Sequence, residues 1–85
     1  MGMVFTEVET MRAEYEEAKS RLGEIDARIA FLERQMARQQ KLRKRGITTS
    51  DALDRAASDL AIERQKKLVA QQTMRRLLTA LGGDP

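Results

Sequence analysis

Cysteine, histidine and tryptophan are absent from this 85-residue chain, proline occurs once, and aromatic residues make up only 4%. Each absence removes a class of function. Without Cys or His there is no zinc site of the usual ligand types, no thiol nucleophile and no Ser-His-Asp triad. Without Cys no disulfide can staple so small a chain. Few large side chains are available for a globular core, and chains this short bury only roughly 60% of their unfolded surface. No run approaches the ~20 apolar residues of a membrane span. The start, Met1-Gly2-Met3-Val4-Phe5, has neither the basic n-region nor the apolar stretch of a secretory signal. Residues 1–3 read either as a natural start or as a cloning remnant. The expectation is a soluble chain whose stability comes from helix packing, a partner, or the remainder of a larger protein.

What the chain has is helix-forming material. Ala, Leu, Glu, Lys and Arg supply 44 of the 85 residues, the composition of long helices and coiled coils. Thr6-Glu7-Val8-Glu9 has the form of a capping box, in which Thr6 and Glu9 satisfy each other's amides. From there to Arg45 the only breaker is Gly23. One helix is expected over about residues 6–45, roughly 58 Å long at ~1.5 Å per residue. Gly46 supplies the left-handed C-cap, and Ile47-Thr48-Thr49-Ser50 the turn. The three hydroxyl residues compete to cap a second helix over about 50–81, with Asp51 and Asp54 in its first turn. Gly82-Gly83-Asp84-Pro85 ends it. Two long helices joined by a turn at 46–49 fold back on each other. The expected fold is therefore all-α: one antiparallel two-helix coiled-coil hairpin over residues 1–85.

The periodicity of the first helix agrees. Val8, Met11, Tyr15, Ala18, Leu22, Ile25, Ile29, Leu32 and Met36 keep 3-then-4 spacing without a slip, and Gln39 takes the next position. The second helix reads as less regular. Leu53, Ala57, Leu60, Leu68, Met74, Leu78 and Leu81 suggest an inward stripe that Arg64 and Gln71 interrupt, with a drift toward a straighter hairpin. Ile62, Val69 and Leu77 form a further stripe. Two readings of it stand: scattered exposed apolar residues, which are normal, or a self-association contact with a neighbouring copy.

Charge is segregated. Residues 1–33 carry eight acids and four bases, whereas 34–45 carry six bases and no acid: Arg34, Arg38, Lys41, Arg43, Lys44 and Arg45. Cations at a helix C-terminus complement its dipole, but so many exceed what capping needs. Glu17–Arg21, Glu24–Arg28, Asp51–Arg55 and Glu63–Lys67 are spaced as i,i+4 ion pairs.

The segment from Arg38 through Leu42, Gly46-Ile47-Thr48-Thr49-Ser50-Asp51 and Leu53-Asp54 resembles the hairpin tip of periplasmic membrane fusion proteins. These are the HlyD/EmrA-like adaptors of tripartite efflux pumps and type I secretion systems. Their tips resemble R-x-x-x-L, a short turn holding Gly and Val or Ile, Ser, then L-D-x-A. The closing Leu81-Gly82-Gly83-Asp84-Pro85 is similar to the segment by which EmrA-like adaptors leave the hairpin. The resemblance covers about residues 34–85; the first helix matches only in composition and period.

The resemblance implies that Arg38, Leu42 and Thr49 meet a TolC-like outer-membrane channel, with Thr49 in place of the usual Ser and Thr48 as the alternative if the turn is one residue shorter. It implies a periplasmic hairpin excised from an inner-membrane-anchored adaptor. Neighbouring copies would be partners, and an inner-membrane transporter would be reached only through parts absent here. Thr49 is open to a second role, as the cap of the second helix. Two alternatives remain beside the adaptor. One is nucleic-acid binding through residues 34–45, against which stand the lack of a nearby stacking aromatic and the acidic first third. The other is a small secretion co-chaperone, clamping a partner along its apolar face. No enzymatic activity and no cofactor are expected, since carboxylates on exposed helices have no pocket that shifts their pKa or excludes water.

Overall fold

A computed structural model describes residues 5–82. Two helices, α1 over Phe5–Lys44 and α2 over Ser50–Ala80, pack antiparallel as a hairpin with extents of 66 × 18 × 14 Å. The all-α hairpin follows from the sequence as expected, and both helix ends near the turn fall within a residue of the expected positions. Among the described residues no helix is long and apolar enough to cross a membrane. α1 runs unbroken through Gly23. Residues 1–3, and Gly83-Asp84-Pro85 of the closing segment, lie outside the described residues.

The α1 seam is the expected one. Ala18, Ile25 and Leu32 are buried, and Val8, Met11, Tyr15, Leu22, Ile29, Met36 and Gln39 are half-buried. The three central d-type positions are thus the best covered.

The α2 stripe differs from expectation. Leu53, Leu60, Met74 and Leu81 do face inward, while Ala57 and Leu78 sit half-buried at the flank. Leu68 is exposed. Leu77 is buried at 7% exposure, so it belongs to the seam and is not part of an outward stripe. The inward positions are Leu53, Ala56, Leu60, Glu63, Lys67, Ala70, Met74, Leu77 and Leu81, all buried or half-buried. Their spacing is an uninterrupted 3-then-4 repeat, and no drift occurs. Two of its members are charged, and that concealed the period.

Those two charges find partners on α1. Glu63 is 6% exposed, the single buried charged residue among those described. Its Oε1 accepts hydrogen bonds from Arg28 Nε at 3.2 Å and from Lys66 Nζ at 3.1 Å. Lys67 Nζ reaches Asp26 Oδ1 at 2.8 Å, and Arg64 lies 3.6 Å from Glu33. Of the four expected i,i+4 pairs only Glu17–Arg21 forms, at 3.2 Å. Arg28 and Lys67 turn across the hairpin instead. A cross-helix pair beside the apolar seam is better shielded from water than an i,i+4 pair on an outer face.

The expected capping box is also absent. α1 already includes Phe5, so Thr6 has helical neighbours on both sides, and its carbonyl accepts the Thr10 hydroxyl at 2.9 Å. The helix end beside the turn behaves as the sequence suggests. Gly46 takes φ +71, its amide donates to the Arg43 carbonyl at 2.9 Å, and the Ile47 amide donates to the Leu42 carbonyl at 2.9 Å. These two bonds are the Schellman pattern, which needs a left-handed residue that only Gly adopts without strain. Gly82 repeats the left-handed conformation after α2, at φ +83.

Candidate functional site

The turn is short and hydrogen-bonded to both helices. Thr49, extended at φ −95 and ψ 162, caps α2: its hydroxyl oxygen accepts the Ala52 amide at 3.3 Å. The Thr48 hydroxyl donates to Gln39 Oε1 at 2.8 Å, joining the turn to the last polar seam position of α1. Thr48 is therefore turned inward. Thr49 uses one acceptor lone pair for the cap and keeps its proton for another acceptor, because a hydroxyl both donates and accepts. Capping and an external contact are compatible at this residue.

Arg38 and Leu42 stand one helical turn apart on α1, but their environments differ. Arg38 is exposed, and Leu42 is half-buried at the end of the seam. Part of the Leu42 side chain is thus committed to holding the helices together, and the remainder borders the tip. Arg38, Leu42 and Thr49 lie toward the turn end of the rod, as the antiparallel fold requires.

All six bases of 34–45 are exposed. Among the described residues none of them has an ion pair; of the ten bases elsewhere, Arg21, Arg28, Arg64, Lys66 and Lys67 have one and the other five do not, so what sets the tip apart is the density of its cations. The tip is therefore a cluster of free cations, opposed locally by Asp51 and Asp54 in the first two turns of α2. Ile47, at the turn, is 66% exposed. From the sequence Ile47 reads only as a turn residue. The signal was available: an apolar residue directly after the C-cap Gly normally folds back onto its helix, and here it stands clear.

Along one side of the rod runs an open groove of about 990 Å³. Ala18, Ile25, Glu63 and Ala70 are its buried lining, and Ile62 and Val69 are its exposed apolar edge. Two of the three residues named for self-association thus share one face, one heptad apart. Leu77 does not join them, since it lies in the seam.

No family model matches this chain, and comparison with curated proteins and with solved structures finds no significant match to its sequence or its fold.

Proposed function

We propose that this chain is the hairpin of a periplasmic membrane fusion adaptor, of the kind that serves tripartite efflux pumps or type I secretion, and that it docks end-on to a TolC-like outer-membrane channel. The observation that carries this proposal is the tip. A narrow rod 66 Å long ends in a hydrogen-bonded turn that gathers an exposed, unpaired Arg38, the end of Leu42 and the free proton of Thr49. An Arg guanidinium forks onto a carboxylate or onto paired carbonyls. A stiff support holds these groups in place, so little ordering entropy is lost on docking. The reading puts the parent protein in the periplasm, and any coupling to an inner-membrane transporter runs through other parts of that parent. Ile62 and Val69 are the side chains it leaves for contact with a neighbouring copy.

The test is binding of the 85-residue chain, immobilised at high density so that avidity raises a weak contact, to the reconstituted TolC-like channel of the source organism. Arg38→Ala and Leu42→Asp each weaken binding at least ~10-fold, and Arg38→Lys does not restore it, because an ammonium lacks the fork. Glu16→Gln, on the far part of the rod, leaves binding unchanged. Circular dichroism separates lost docking from lost folding, above all for half-buried Leu42. Full binding by both tip variants sinks the proposal, as does tighter binding of DNA or RNA than of the channel.

A further inference from the structure

We infer that the partner of this tip offers an acidic-rimmed apolar socket, into which Ile47 inserts while Arg43, Lys44 and Arg45 bind the rim. The inference rests on the end-on docking reading and specifies the chemistry of the surface that receives the tip.

Three observations meet here. First, Ile47 is 66% exposed yet anchored. Its amide is bonded to Leu42, the preceding Gly46 is locked at φ +71, and the following Thr48 is bonded to Gln39. A lone exposed apolar side chain needs no explanation, but one presented from a turn bonded on both sides is already in a binding conformation. Second, Arg43, Lys44 and Arg45 directly precede that turn as three consecutive exposed cations, none with an ion pair among the described residues. Third, Asp51 and Asp54 are the only acids between residues 34 and 54, and they lie at the α2 N-terminus, where the helix dipole draws on their charge. Complementarity to this surface means apolar at the centre and negative around it.

The same features argue against the other anionic partners. Membrane binding grows with the apolar area inserted, and one Ile on a rod 18 × 14 Å in cross-section inserts little. Nucleic acid would use the cations but has no place for an aliphatic knob, and the tip has no aromatic on which bases stack.

The experiment uses the same immobilised chain and three probes: the reconstituted channel, vesicles of phosphatidylcholine with ~30% phosphatidylglycerol, and a DNA duplex. Ile47→Ser weakens channel binding about 10-fold, and Ile47→Val restores most of it. Arg43→Gln, Lys44→Gln and Arg45→Gln together weaken it further and flatten its dependence on salt, since screening acts on those charges. The substituted side chains are exposed, so the fold survives. Channel binding indifferent to both sets of changes overturns the socket and leaves the docking proposal standing. Failure of the unaltered chain to bind the channel removes the docking proposal and the socket with it. Vesicles or DNA bound more tightly than the channel overturn the socket by showing a different class of partner.

Discussion

Arg28 of α1 and Glu63 of α2 meet across the hairpin with Nε and Oε1 3.2 Å apart, and Glu63 is the buried member of the pair. A carboxylate at a seam position tolerates little displacement, because sliding one helix by a turn would strand it against apolar side chains. The pair therefore fixes axial register as much as it contributes stability, the role best attested for polar residues in helical seams.

Removing one partner separates these contributions. Arg28→Ala leaves Glu63 with Lys66 alone and lowers stability by about 1–2 kcal/mol, less than for a fully enclosed pair because Arg28 is itself largely exposed. Glu63→Leu leaves Lys67 as the one charged member of the α2 repeat and raises stability by about 1–2 kcal/mol, while allowing alternative registers. Urea unfolding gives the two stabilities. Cysteine pairs placed across the seam report register through their crosslinking pattern, which broadens for Glu63→Leu and stays single for the unaltered chain.

The turn yields a second pair of outcomes. Thr49→Ala removes the α2 cap and costs about 1 kcal/mol, while Thr49→Ser is nearly neutral because the hydroxyl oxygen remains. Gly46→Ala meets open space, so its cost comes from backbone alone and is about 1 kcal/mol. Thermal melts followed by circular dichroism check both. A neutral Gly46→Ala would mean that the left-handed turn does not persist in solution.

Self-association is expected to follow the exposed edge and not the seam. A two-helix unit is marginal as a monomer, since long helices owe most of their stability to packing. The melting temperature should therefore rise with concentration. Ile62→Ser with Val69→Ser reduces that dependence, as measured by sedimentation equilibrium. Leu77→Ala instead lowers stability by about 2–3 kcal/mol at every concentration, because it opens the seam. A sharp melt independent of concentration would contradict the first expectation.

Much of this hairpin was legible because α1 states its period with apolar residues alone. Its seam from Val8 to Met36, the left-handed Gly46 and the start of α2 all follow from spacing and turn chemistry. The α2 seam was harder for a physical reason. Glu63 and Lys67 hold seam positions as partners of Arg28 and Asp26, so a search for apolar spacing skips them and admits Leu68, which is exposed. Leu77, buried in the seam, reads as outward for the same reason. Arg28 and Lys67 each had a neighbour of opposite charge at i,i+4, and only the helix pairing shows that both reach across. The tip residues could be named from sequence, but the inward hydroxyl of Thr48 and the outward Ile47 depend on the path of the turn.

Asp26, Arg28, Glu63 and Lys67 form a charged waist between a half holding Leu32, Leu53 and Leu60 and a half holding Ala18, Met74 and Leu77, with only Ile25 and Ile29 of α1 continuing the apolar seam through it. Apolar contact transmits cooperativity, and here it is thinned in the middle. Fraying that begins at the open end of the hairpin meets this waist before it reaches the turn. The two halves should thus exchange amide hydrogens as separate units, with the turn half closed while the other opens. The turn then keeps its shape while the distant half breathes.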